Sequence, residues 1–161
     1  MRSSVFGWCV LAGSSGCAYQ PGSFVASGQP FVGMHMTVEC LDVAIDRRDD
    51  IAQSPVLAFE FGNRCDRPAT VDFASVVVIG RGADGHEHRL TPYDPGHEIA
   101  ALAVDGRRWG TEVIAYRGPD VRSQIDQVCV DVASLTQQAP ARWLCVGSVG
   151  GDQLAQQEAA Q

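Results

Sequence analysis

From about residue 31 the chain alternates apolar and polar positions in short runs separated by turn residues. In Val32–Ile45, Met36, Val38 and Cys40 alternate with Thr37 and Glu39, and the phase shifts before Val43 and Ile45. A broken period of two suggests a bulge or a break. Arg47-Arg48-Asp49-Asp50 reads as a charged turn. Val56–Phe61 sets Leu57, Phe59 and Phe61 on one face, and Gly62–Pro68 is a cluster of turn residues. Val71–Ile79 is β-branched and apolar on both faces around Val76–Ile79, the pattern of a central strand. Asp84-Gly85 is a hairpin signal, with His86–Leu90 as the returning arm, and Thr91–Gly96 forms a second turn. Further strands are expected over Glu98–Val104, Trp109–Tyr116, Gln124–Val132 and Arg142–Val146. No segment holds a helical period over three turns. About eight short strands with regularly spaced turns predict an all-β, antiparallel sandwich of seven to eight strands, and a small barrel is the alternative.

The 161 residues suggest one domain, residues 31–147, and the 45% hydrophobic content is that of a globular protein. All twelve basic residues are arginine. With a formal charge of -7 the chain offers no general field for phosphate backbones, so no nucleic-acid partner is expected.

The N-terminus has the layout of an export signal: Arg2, an apolar stretch Val5–Gly13, then small residues. The apolar stretch is too short to span a bilayer. Ser14-Ser15-Gly16-Cys17 resembles the lipobox of bacterial lipoproteins, with Ser14 where leucine is usual. The resemblance implies a signal peptide over residues 1–16 and cleavage after Gly16. It also implies lipid on the Cys17 thiol and acylation of the new amino group. Ala18, rather than aspartate, after the cysteine implies the outer membrane of a Gram-negative cell. Ala18–Pro30, uncharged and rich in Gly, Ser, Ala and Pro, reads as a flexible tether, so residues 17–30 form a lipid-anchored linker. The Gln/Ala-rich residues 148–161 read as a tail. The domain itself resembles the immunoglobulin-like sandwiches of bacterial envelope lipoproteins. It lacks the Cys…Trp…Cys spacing of antibody domains, since Trp109 comes late between Cys65 and Cys129.

Setting aside Cys9 in the leader and Cys17 on lipid, Cys40, Cys65, Cys129 and Cys145 remain. An even number in an exported domain predicts two disulfides. Cys40–Cys145 with Cys65–Cys129 is the favoured pairing, because a bridge from first to last strand closes the longest loop. Cys40–Cys129 with Cys65–Cys145 is the rival. No close cysteine pair that would start a zinc site is present.

His86-Glu87-His88 is the candidate metal motif, since residues i and i+2 of a strand share a face. Solvated polar residues on a hairpin arm are the simpler reading, and no cofactor is expected. Asp94, His97 and Glu98 combine two carboxylates with an imidazole, as a hydrolase would need, but Pro95-Gly96 makes the segment an ordinary turn. Trp109 and Trp143 are expected to pack in the core or on an edge. The expected function is therefore a non-enzymatic, lipid-anchored envelope module that binds another envelope protein or a surface component, through loops Arg47–Ser54, Gly80–His86 or Pro92–His97. A metal- or small-ligand-binding periplasmic protein is the second reading, and a hydrolase the third.

Overall fold

Residues 32–51 fold as a hairpin, so the shift of phase within Val32–Ile45 is a break between two strands and not a bulge in one. In the computed structural model, which describes residues 18–51, 54–93, 101–118, 124–137 and 139–147, Glu39 takes a left-handed φ of 48° and turns the chain at Glu39-Cys40. The arms are β3 (Met34–Val38) and β4 (Leu41–Ile51). Before them lie β1 (Val25–Ala26) and β2 (Gln29–Pro30). After them come β5 (Ser54–Asn63), β6 (Ala69–Val71), β7 (Val77–Arg81), β8 (Glu87–Pro92), β9 (Leu102–Val104), β10 (Trp109–Arg117), β11 (Gln127–Asp131) and β12 (Trp143–Gly147). A single 3-10 turn occupies Ser134–Thr136. The protein is all-β and every ladder is antiparallel.

Eight strands form one sheet in the order β12-β11-β7-β8-β10-β5-β4-β3, while β1-β2 and β6-β9 form separate two-stranded pieces. Among the described residues, the large sheet consists of two four-stranded ladders joined through Tyr116↔Pro92 and Arg117↔Thr91, with the Tyr93 N–H donating to Ala115 O beside them. It curls until its far edges meet. Arg142 Nη1 donates to Thr37 O at 2.7 Å, and Arg47 Nη2 donates to Ile125 O at 2.9 Å. The inward faces close on one apolar core that includes Ile45, Leu57, Val78, Leu90, Val130 and Leu144. Phe73 packs at 5.3 Å from Phe59 and 5.9 Å from Phe61, centroid to centroid, and Tyr116 lies 6.3 Å from Phe59. The Tyr116 hydroxyl is buried in this cluster with no hydrogen-bond partner among the described residues.

Several sequence expectations are corrected. Arg47–Asp50 is strand, not turn. Arg47 continues the inward alternation of Leu41, Val43 and Ile45 opposite Leu57, so its side chain is buried against β11's approach, and the β4–β5 register slips only after it, between Arg47 and Asp49. Of the loop expected over Arg47–Ser54, Arg47–Ile51 and Ser54 are strand, and residues 52–53 lie outside the described residues. Val71–Ile79 is not one strand, because Asp72 bonds Ser75 Oγ and the Ala74 N–H and turns the chain between β6 and β7. The Asp84-Gly85 hairpin forms as expected, with Gly85 at φ 77°. The expected tail, residues 148–161, lies outside the described residues.

The disulfides pair in the third possible way: Cys40–Cys65, Cα–Cα 5.3 Å, and Cys129–Cys145, Cα–Cα 4.0 Å. Both are local. Leu41 is opposite Asn63, so the turn bearing Cys40 meets the residues just after β5, and the Arg64 N–H donates to Cys40 O at 2.7 Å. Cys129 and Cys145 are directly opposite on adjacent strands. The favoured pairing assumed that chain-distant strands bridge, whereas Cys129–Cys145 joins cross-strand partners and Cys40–Cys65 joins residues just beyond the ends of two adjacent strands.

Candidate functional site

Residues 18–30, expected as a flexible tether, form a docked strap together with residues 31–33. The outward positions of β4 and β5 explain why. Asp42 and Ala44 on β4 and Gly62 on β5 are buried although they point away from the core, because the strap covers them. The Tyr19 N–H donates to Arg107 O at 2.6 Å, and its hydroxyl donates to Asp42 Oδ2 at 2.7 Å. The same carboxylate accepts the Gly22 N–H at 2.7 Å and the Thr37 hydroxyl at 2.5 Å, and Arg64 Nε lies 3.8 Å away. A fully buried carboxylate is tolerated when donors and a cation surround it in this way. The Tyr19 ring stands over Gly62, where a Cβ would lie 2.0 Å from Cζ. Further along, Ser27 (φ 50°) and Gly28 (φ 80°) make the tight β1–β2 hairpin, Phe31 stacks 5.9 Å from Tyr19, and the Val32 N–H donates to Glu60 Oε2 at 2.7 Å. Gly33, at φ 93°, brings the strap so near β4 that a Cβ would sit 2.2 Å from Ile45 O.

The strap leaves part of this outer face open. Cross-strand partners share a face, and Trp109 pairs with Gly62, Thr111 with Glu60 and Val113 with Ala58. Trp109 thus flanks Tyr19. It is 40% exposed, Val113 57% and Val32 53%. Beside them the turn Asp105–Arg108 packs on the loop after β5: a Cβ on Gly106 would lie 2.2 Å from Asp66 O, and Arg107 Nε bonds Asp66 Oδ1 at 2.8 Å. The Arg107 guanidinium holds the exposed Asp66 carboxyl below the usual carboxylate range. Sequence reading missed this face by assigning Trp109 to packing. Its signal was a glycine within a strand, which marks a close approach, opposite an outward tryptophan.

Trp143 is also 40% exposed, but Leu144 and Val146 beside it fill the core, so it points outward from the other ladder, and the two tryptophans do not share a face. His86 is exposed at the tip of the β7–β8 hairpin with its N–H on Asp84 Oδ1 at 3.0 Å; His88 is half-buried opposite Gly80. Between them Glu87 pairs with Arg81 at 2.8 Å. Among the described residues no group of three or more His, Cys, Asp or Glu side chains gathers as a metal would need. Asp94, His97 and Glu98 lie outside the described residues, as do Cys17 and the leader. A shallow groove of about 210 Å³ beside the Cys40–Cys65 bridge is lined by Glu39, Leu41, Arg67, Pro68, Thr70 and Thr136, among others.

Burial, and for Tyr19 the Asp42 carboxylate as well, push the Tyr19 and Tyr116 phenols far above their ordinary value. Both stay neutral in the fold while an unfolded chain ionises near pH 10. The stability tied to their neutral state is therefore complete below about pH 10 and is lost as pH rises toward the folded values, by up to about 1.4 kcal/mol per pH unit for each tyrosine. Unfolding free energies from urea titrations should be flat to about pH 10 and then fall toward this slope by about pH 11.5, and Tyr116→Phe should remove half of the fall. A flat alkaline profile would contradict the burial of both rings.

No family model matches the chain, and no curated protein matches it. Among solved structures, the crystal structure of the yjhA protein from Bacillus subtilis is similar at 10% identity, over 72% of this chain and 96% of that chain, with a TM-score of 0.45. A likeness this distant carries no argument about function.

Proposed function

We propose that this chain is a lipid-anchored protein of the cell envelope, held in the outer membrane through acyl groups on Cys17, whose β-domain is a non-enzymatic binding or structural module. The observation that carries the reading is the oxidised state of the domain. Its four cysteines, Cys40, Cys65, Cys129 and Cys145, are all bridged, as in proteins that fold in an oxidising, extracytoplasmic compartment. The export leader and the lipobox-like Ser14–Cys17 supply the matching address. Two or more acyl chains make such an anchor stable. The two four-stranded ladders, joined among the described residues by two residue pairs, support reading the domain as an immunoglobulin-like sandwich. Such a frame presents partner sites on loops and edges, among them the exposed Ala83–Gly85 turn.

Palmitate labelling tests the anchor. Wild-type protein should take up label and Cys17→Ala should not, and the intact mass of the mature chain should report acyl groups and two disulfides together. An unlabelled wild type overturns the reading.

A further inference from the structure

We infer that the outer face of β10 with the adjoining strap lies against the membrane, with Trp109, Val113 and Val32 in the bilayer interface. The inference rests on the lipid anchor proposed at Cys17. Its own premise is that the strap is docked. Consecutive Cα atoms are about 3.8 Å apart, so acyl chains on Cys17 begin within roughly 10 Å of the point where Tyr19 is pinned to Arg107. A flexible tether of thirteen residues would let the domain tumble; a pinned one fixes which surface the bilayer meets.

That surface has the chemistry of a membrane interface. Trp109 stands beside Tyr19 on the same face, and Val113 follows two positions beyond Thr111, about 13 Å along the strand. Val32 joins them through its bond to Glu60, the partner of Thr111. An exposed tryptophan among apolar neighbours suits the boundary between head groups and acyl chains. Loops 64–67 and 105–108, at the same end, carry Arg64, Arg67, Arg107 and Arg108 against Asp66 and Asp105, whereas the whole chain is at -7. With Asp42 beside Arg64 and Glu39 beside Arg67, this end is close to neutral, so on an acidic protein it is the part that anionic lipid repels least.

The test uses the full-length lipoprotein, purified in detergent and reconstituted in vesicles of phosphatidylethanolamine and phosphatidylglycerol. Of the three tryptophans, Trp8 leaves with the leader, so Trp143→Phe makes Trp109 the sole emitter. With lipids brominated near the head group, its emission should fall about twofold relative to unbrominated vesicles, as for a ring at the interface. Inserting about twelve Gly/Ser residues between Cys17 and Ala18 lengthens the leash without touching the domain and should abolish most of that quenching. Intact mass of the same preparation separates the two claims. Acyl groups present with Trp109 unquenched overturn the orientation alone, as does quenching that ignores the inserted leash. No acyl group on Cys17 overturns both.

Discussion

Replacing Gly62 with alanine is expected to destabilise the protein by about 3 kcal/mol or more, the opposite of the usual sign for such a change within a strand. A Cβ at residue 62 would lie 2.0 Å from Tyr19 Cζ and 2.3 Å from both Cε atoms, so the ring must leave its seat. Its departure breaks the hydroxyl bond to Asp42 and uncovers Ala44 and Phe31. The buried carboxylate then loses a donor, a penalty of about 1–3 kcal/mol on top of the lost burial. Losses of this size are a large share of the ~5–15 kcal/mol that holds a domain together. Tyr19→Ala should cost a similar amount, and the double variant little more than either, because both changes remove one interaction. Urea unfolding of the three variants, with limited proteolysis of residues 18–33, checks this. A stabilised Gly62→Ala, or fully additive losses, would mean that the strap does not sit where Tyr19 is placed.

The strands were legible because alternation over Leu57, Phe59 and Phe61, or over Val128 and Val130, records a surface with one dry side. The strap was not, because Ala18–Pro30 has the uncharged, Gly- and Pro-rich composition of a linker. Composition reports the absence of a core-forming pattern; it does not report a neighbour ready to supply partners. The neighbour left traces that only make sense together: Asp42 within an apolar strand, Gly62 at the end of another, and aromatics at Tyr19, Phe24 and Phe31 in a segment otherwise of small residues. Arg47 was misread for a related reason. It continues the inward alternation of Val43 and Ile45, but a charged run reads as a turn, and the carbonyls of Ile125 and Asp126 that receive its guanidinium lie far along the chain. The candidate site suffered most. His86-Glu87-His88 was conspicuous as a motif, yet Glu87 is engaged with Arg81 and the histidines flank it on a hairpin tip. The Trp109 face is assembled from β5, β10 and the strap, and no local window contains it.

Reducing both disulfides is expected to remove about 6 kcal/mol of stability, close to the whole of a small domain's margin. The bridges span 25 and 16 residues, and constraining loops of those lengths in the unfolded chain contributes about 3 kcal/mol apiece. Their effects should add, since Cys129–Cys145 staples the β11–β12 ladder while Cys40–Cys65 ties the β3–β4 turn to the end of β5. Loop length alone makes the two nearly equal, so any further difference reports native contacts. Cys40–Cys65 holds more of them: the Cys65 N–H donates to Asn63 Oδ1 at 2.9 Å, the Arg107 N–H donates to Cys65 O at 2.9 Å, and the Arg107 carbonyl in turn pins Tyr19. The paired change Cys40→Ala with Cys65→Ala should therefore loosen the strap as well as lower the urea midpoint, whereas Cys129→Ala with Cys145→Ala should lower the midpoint and leave the strap resistant to protease. Urea titrations with and without reductant decide the total, and proteolysis of residues 18–33 decides the division. A reduced protein that keeps the oxidised midpoint would show that the fold does not depend on its bridges, and an oxidising compartment would then no longer be a physical requirement for this chain.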